Sequence, residues 1–262
     1  MVVMGYTAAV LIGISLGLIG GGGSILTVPV LVYLFGLSPV TASAYSLFIV
    51  GSASLVGAAG KVRQRLVSFR SVLYFGLPSL LTVFVMRKWV VPAMPEVFFS
   101  VGDFHFTKAV FTILLFAVLM IAASLSMISN KGVVAAGAAP KLNPVRIAVQ
   151  GVVTGLVTGM VGAGGGFLIV PALIWMLGLP VKTAIGSSLL IIAINSLSGF
   201  LGDVLNVHIQ WDLVLSVAAL AIAGIFIGNL LSKRIAAIHL KKGFGWFVLA
   251  MGIYIIVKEL LF

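Results

Sequence analysis

The sequence predicts an all-α integral membrane protein built from two inverted-topology repeats, each a glycine-broken helix pair followed by three membrane spans. Three observations predict it. The chain is 61% hydrophobic and only 8% charged, with a mean hydropathy of +1.29. One stretch is written twice, Gly20-Gly-Gly-Gly-Ser-Ile-Leu-Thr-Val-Pro29 and Gly162-Ala-Gly-Gly-Gly-Phe-Leu-Ile-Val-Pro171. The loops that trail the two copies carry opposite charge.

The composition excludes several classes at once. Average soluble chains carry roughly 25% charged residues, three times the fraction here. The net charge of +11 raises a nucleic-acid reading, but such proteins gather Lys and Arg on one polar face. Here the cations sit in short connections between apolar runs, as the positive-inside bias places them. The chain has no cysteine, which removes disulfides, thiolate metal sites and cysteine nucleophiles. His105, His208 and His239 lie far apart without metal-ligand spacing. No cofactor is expected. The first apolar run lacks a basic n-region and continues past any cleavage site, so it reads as mature structure.

Taken in order, the apolar runs cover 5–36, 40–59, 70–91, 107–128, 145–179, 183–202, 211–232 and 244–261. Most match the roughly 20 residues that a span requires. The runs 5–36 and 145–179 are too long. About 32 residues of helix would extend about 48 Å, against roughly 30 Å of hydrocarbon. Each holds its glycine cluster near the middle, so each reads as two shorter helices meeting at a break, either a re-entrant hairpin or a broken pair of spans. Residues 1–128 then form the first repeat and 145–262 the second. The stretch 129–144, small, Gly/Pro-bearing and cationic, forms a cytoplasmic linker.

The register of the duplication holds from Gly20/Gly162 to Gly60/Gly202 without a gap, through Leu31/Leu173, Gly36/Gly178, Thr41/Thr183, Ser46/Ser188, Ser54/Ser196 and Gly57/Gly199. Beyond it the copies diverge in charge. Lys61-Val-Arg63-Gln-Arg65-Leu-Val-Ser-Phe-Arg70 is cationic, whereas Asp203-Val-Leu-Asn-Val-His-Ile-Gln-Trp-Asp212 has two carboxylates and no Lys or Arg. The positive-inside rule puts the first loop in the cytoplasm and the second outside. Equivalent loops on opposite faces define inverted repeats. The same threading places Lys131, Lys141, Arg146, Lys182, Lys233, Arg234, Lys241 and Lys242 inside and leaves Arg87, Lys88, Lys108 and Lys258 outside, with both termini extracytoplasmic. Inversion needs an odd number of crossings per half, so the broken segment crosses zero times or twice.

The glycine break is the candidate site. Irregular backbone at membrane depth must be buried or line a cavity. Residues 24–35 and 166–177 can each restart a helix whose N-terminus, with free N–H groups and about half a positive charge, attracts an anion. Gly13, Gly17 and Gly21, like Gly151, Gly155 and Gly159, have the small-xxx-small spacing of helix packing. The consecutive glycines Gly22, Gly23 and Gly164, Gly165, Gly166 exceed that need and are assigned, with Ser24, to a backbone binding site. Ser46 and Ser188 coincide in the repeat, and Asn195 places an amide in hydrocarbon where it wants a partner. These three complete the set. Most other hydroxyls are expected to bond to their own helical turn. Asp203 and Asp212, at span ends, are expected to be solvated, and no charged residue falls clearly mid-span. No nucleophile–base constellation is visible, so an enzyme is not expected. Hydroxyls, amides and helix N-termini without buried cations suit a diffuse, weakly basic anion.

The motif Gly162-Ala-Gly164-Gly165-Gly166-x4-Pro171-Ala-Leu173, with its first copy, resembles the TauE/SafE sulfite-exporter family of membrane permeases over essentially the whole chain. The first copy departs from the pattern at Ser24, where the motif has its last glycine. The resemblance implies a multi-pass permease of the inner membrane that moves sulfur-containing anions such as sulfite, sulfoacetate or other sulfonates. Its partners would be that small anion and the lipid bilayer, with a second copy of the chain left open. Export by alternating access is the expected mechanism, and an anion channel using the same helix dipoles is the alternative.

Overall fold

The computed structural model describes residues 2–101, 104–129, 144–232 and 237–261. The linker expected at 129–144 falls almost wholly outside them, as do Lys131, Lys141, Lys233 and Arg234. Helix α1 (Val2–Ile19) runs to a 3-10 segment, Gly21–Leu26, and α2 (Thr27–Tyr33) returns from it. Then come α3 (Pro39–Arg63) and α4 (Phe69–Ala93), a short hairpin of β1 (Val97–Val101) and β2 (Phe104–Thr107), and α5 (Lys108–Ile128). The second half repeats the order with α6 (Pro144–Val161), α7 (Gly166–Leu177), α8 (Val181–Asp203), α9 (Trp211–Leu231) and α10 (Ala237–Leu261).

Local chemistry explains the boundaries. Ser38 caps α3 by accepting the Thr41 N–H at 3.2 Å, with Pro39 opening the helix. Thr107 caps α5 through the Val110 N–H at 3.3 Å. The repeated Gly36-Leu37 and Gly178-Leu179 end α2 and α7. Both glycines are left-handed (φ +70° and +62°), and the Leu37 and Leu179 N–H groups reach back to Leu31 and Leu173 O at 3.2 and 3.4 Å. That is the helix stop which glycine makes accessible.

Helices α3 and α8, equivalent in the duplication, form the centre. Gly51 and Gly57 of α3 face Leu197 and Leu189 of α8, and Leu47 faces Gly199, so the two pack antiparallel. In α5 and α10 the direction is again opposed, with Gly245 against Met127 and Gly252 against Ala117 and Ile121. By contrast α1 lies parallel to α9, and its counterpart α6 lies parallel to α4. Two hydroxyls repeat one clamp. Tyr45 Oη accepts the Gln210 N–H at 2.7 Å, and Ser187 Oγ, in the matching position, accepts the matching Ser68 N–H at 2.9 Å. Each central helix thereby holds the loop that follows its twin.

Small residues permit the close approach. A side chain on Gly13 or Gly17 would enter the α9 backbone at Ala221 and Ile225, and one on Gly151 or Gly155 would enter α4 at Phe75 and Ser79. Packing is therefore the role of Gly13, Gly17, Gly151, Gly155 and Gly159, as their spacing predicts. Gly13→Leu is expected to overpack α1 on α9, cost about 1–3 kcal/mol and lower the melting temperature in detergent.

Outward faces carry the opposite character from a soluble surface. Leu11, Leu73, Leu81, Val118, Leu201, Phe226 and Leu230 are all exposed. Among the described residues six helices (α3, α4, α5, α6, α8 and α9) are long and apolar enough to cross a membrane. The chain is a multi-pass membrane protein. The glycine-broken segments fold as hairpins whose limbs begin and end together. Tyr6 and Phe35 stack edge to face at 5.5 Å, and Pro144 and Ile147 line one pocket with Leu177 and Leu179.

Two features depart from the sequence reading. The β1–β2 hairpin interrupts the helices among the described residues, because Val97–Val101 and Phe104–Thr107 are rich in β-branched and aromatic residues that suit a pleated ribbon. Helix α4 contains two π-turns, Val72–Gly76 and Met86–Val90, each ending two residues before a proline, Pro78 or Pro92. Proline withholds an N–H and pushes on the carbonyl four residues back, and widening the turn relieves that clash.

Candidate functional site

The two hairpin tips meet. Gly21 and Gly166 touch through their backbones, and a side chain on either would occupy the other's Cα. The approach explains why the chain is glycine there. The small-xxx-small spacing groups Gly21 with the packing glycines of α1, but its backbone contact is with Gly166 at this crossing. Around it, Gly20 lies beside Ser188, Gly164 beside Ser196 and Val50, and Gly165 beside Thr158. The tips thus sit between the central helices α3 and α8.

The copies differ in local geometry. Gly162, Gly164 and Gly165 all have positive φ (+74°, +69° and +68°), whereas only Gly20 does in the first tip. The second copy turns sharply and begins α7 at Gly166, as the sequence predicts, with Gly165 left-handed at its N-cap. The first copy does not restart an α-helix at Ser24. Gly21–Leu26 is 3-10, and α2 is only seven residues long. Two equal helix N-termini aimed at one point are therefore replaced by one, that of α7, facing a glycine-rich 3-10 backbone. By helix geometry the first N–H groups of α7 have no intrahelical acceptor.

The predicted site residues divide accordingly. Gly22 and Ser24 are buried in the 3-10 segment, and Ser24 Oγ donates to Gly21 O at 2.8 Å. Gly23 packs against Ser15 and Leu16 of α1, which is a helix contact. Ser188 Oγ, beside Gly20, donates to its own turn at Ile185 O, 2.8 Å. Its twin Ser46 is fully buried with an unpartnered Oγ. Asn195 donates through Nδ2 to Ser79 Oγ at 2.7 Å, and its Oδ1 is unpartnered. Gly164, Gly165 and Gly166 form the start of α7 at the crossing.

Sequence reasoning missed other members. Thr158 and Ser196, against Gly165 and Gly164, are buried and their hydroxyls have no partner, nor has that of Thr27 at the start of α2. Buried polar groups are nearly always hydrogen-bonded, so these unpartnered hydroxyls around a glycine backbone stand out as donors and acceptors open to a further group. The Ser54/Ser196 identity in the repeat was the available signal.

Two expectations are corrected outright. Asp203 is not solvated, and the interior is not free of cations. Arg87 Nη1 donates to Asp203 Oδ2 at 2.9 Å and to Ser43 Oγ at 3.0 Å, with both charged residues at most 3% exposed. Arg87 stands in the second π-turn of α4, where Gly199 and Gly202 leave room for its stem on α8. Hydropathy alone cannot separate a cation in a loop from one facing the bundle interior. The other outlying cations also find neighbours: Lys108 lies 3.9 Å from Glu96, Lys88 over Phe84 and Trp89, and Lys258 4.2 Å over the Tyr33 ring.

A helical membrane domain of two like halves, with interrupted hairpins meeting among unpartnered polar groups, has the architecture of a transport protein. The family model described as Sulfite exporter TauE/SafE matches residues 6–255. The chain belongs to that family. It is 32% identical over 256 residues to the "Probable membrane transporter protein" of Xylella fastidiosa (strain Temecula1 / ATCC 700964), covering 94% of this chain and 91% of that protein. It is 26% identical over 255 residues to "Probable membrane transporter protein YunE" of Bacillus subtilis (strain 168), covering 88% and 90%. No solved structure matches it.

Proposed function

We propose that the protein is a secondary permease of the inner membrane that exports small sulfur-containing anions, sulfite or organic sulfonates such as sulfoacetate, by alternating access. Its two halves have inverted topology, and the anion binds at the crossing of the hairpin tips. The observation that carries the reading is that crossing, where the N-terminus of α7 faces the Gly21–Ser24 backbone among unpartnered hydroxyls. The antiparallel packing of the twin helices α3 and α8 supports the inversion. So does the charge contrast between the loops after them.

An anion at this place is bound by backbone N–H groups, the α7 dipole and the hydroxyls of Ser46, Thr158 and Ser196, with the Asn195 amide nearby. These groups are individually weak, which suits a carrier that must release its cargo. Rocking one half against the other around the crossing would open the site to each face in turn. A monovalent anion leaving a negative-inside cell gains about 2.3 kcal/mol per 100 mV, so export needs no coupling ion.

Counterflow in proteoliposomes tests this. Proteoliposomes holding the purified protein and loaded with unlabelled sulfite or sulfoacetate are expected to draw in labelled sulfite transiently, with saturation. Flux that rises linearly with anion concentration, without counterflow, would identify a channel. Thermal stabilisation by sulfite, sulfate, thiosulfate, sulfoacetate and taurine is expected to favour one of the first, second or fourth over chloride. No selectivity in that series would count against the crossing as an oxyanion site.

A further inference from the structure

We infer that Arg87 is the residue that reads the transported oxyanion, through the paired N–H edge formed by its Nε and Nη2, at a second station between the tip crossing and the Asp203 face. This rests on the permease reading and extends it. The guanidinium is held on one side only. Nη1 donates to Asp203 Oδ2 and Ser43 Oγ, whereas Nε and Nη2 are fully buried without any acceptor. Those two nitrogens form one edge of the planar group, with parallel N–H bonds spaced to grip two oxygens of a single anion.

The free edge faces the second hairpin tip. A side chain on Gly162 would fall on Nη2 and on Ser43, and Gly162 holds a left-handed turn (φ +74°) there. The tip caps the edge in this conformation, so withdrawal of the α6–α7 hairpin opens it to the anion. A charged donor pair left unsatisfied in a dry interior is costly, and a visiting oxyanion satisfies both donors at once. Asp203 makes the resident charge of the pair zero. The anion is then held by geometry and local field rather than by a net positive site, and binding stays weak enough to permit release.

The ion pair has no twin. Carrying the repeat offset past Gly60/Gly202, Arg87, Ser43 and Asp203 stand opposite Asn229, Ile185 and Lys61. Asn229 lies against Gly17 near the first tip and offers an amide whose Oδ1 is unpartnered. One side of the crossing therefore presents a fork of cationic donors and the other a neutral amide. A planar or pyramidal oxyanion with two oxygens to offer, such as sulfite, a sulfonate or a carboxylate, fits the fork. A halide offers one atom to both N–H bonds and meets neither in line, so it fits the fork less well.

The test is labelled-sulfite counterflow in proteoliposomes with three proteins: the wild type, Arg87→Lys and the double variant Arg87→Gln/Asp203→Asn. The lysine variant keeps the charge and its Asp203 partner but loses the fork. The double variant removes both charges together, leaving none buried alone. With monodisperse protein and a melting transition retained, both variants are expected to raise the KM for sulfite at least tenfold. In Arg87→Lys the maximal rate is expected to stay within about threefold, a split that a purely structural role would not produce. Wild-type KM in the double variant, beside normal wild-type counterflow, overturns the role of Arg87 and leaves the permease reading standing. Absence of counterflow by the wild type overturns both.

Discussion

Asp203→Asn alone is expected to be among the most destabilising single substitutions in the chain. It leaves the Arg87 guanidinium buried opposite a neutral amide, with Nε and Nη2 already unpartnered. Removing one member of a buried ion pair typically costs about 3–5 kcal/mol, because the surviving charge keeps its desolvation penalty. That is a large part of the about 5–15 kcal/mol that holds most folded domains together. Arg87→Gln alone is expected to cost a similar amount. The two together are expected to recover most of the loss, since an amide pair can hydrogen-bond without stranding charge. Unfolding of the four proteins in detergent, read as a double-mutant cycle, gives the coupling. Additive losses would mean that the pair does not act as a unit.

The second large effect is expected at the tip crossing. Gly166→Leu places a side chain on the Gly21 backbone, so the two tips can no longer meet as they do. Sulfite counterflow is expected to fall below detection, since rearranging either tip also moves the α7 N-terminus. Gly178→Ala supplies the contrast. It strains the left-handed stop of α7 (φ +62°) far from the crossing, costing about 1 kcal/mol or more, and counterflow is expected to survive with an unchanged KM. Equal loss of transport in both variants would show that glycine matters here for folding alone.

Much of this was legible in the sequence because duplication preserves what backbone geometry demands. Gly36 and Gly178 recur since each ends a helix in a conformation that glycine adopts freely. Gly21 and Gly166 are glycine since two backbones touch. The spans followed from hydropathy, and the antiparallel twin helices agree with the charge contrast between the loops. What stayed hidden depends on neighbours distant in the chain. Arg87 and Asp203 each stood at the end of an apolar run, where cations and carboxylates are ordinarily solvated. Both nonetheless fell on the same side in the inverted threading, and that placement was the one sequence signal for their pairing. The division of labour between the tips was hidden too. Ser24 opposite Gly166 marked an asymmetry, but only the fold distinguishes a 3-10 segment from a helix start. The self-bonding of Ser188 beside an unpartnered Ser46 is likewise invisible at matched positions.

In the proposed arrangement, inversion of the two halves lets their hairpins enter from opposite faces and meet. Gln64 and Asn206 occupy equivalent, exposed positions in the two trailing loops, and the chain has no native cysteine to confuse a labelling experiment. Gln64→Cys and Asn206→Cys, each expressed in intact cells, can be treated with a membrane-impermeant maleimide before and after permeabilisation. The expected result is labelling of the cysteine at 206 from outside and of that at 64 only once the membrane is opened. Labelling of both from the same face would contradict the inversion, and with it the meeting of two opposed hairpins at one anion site.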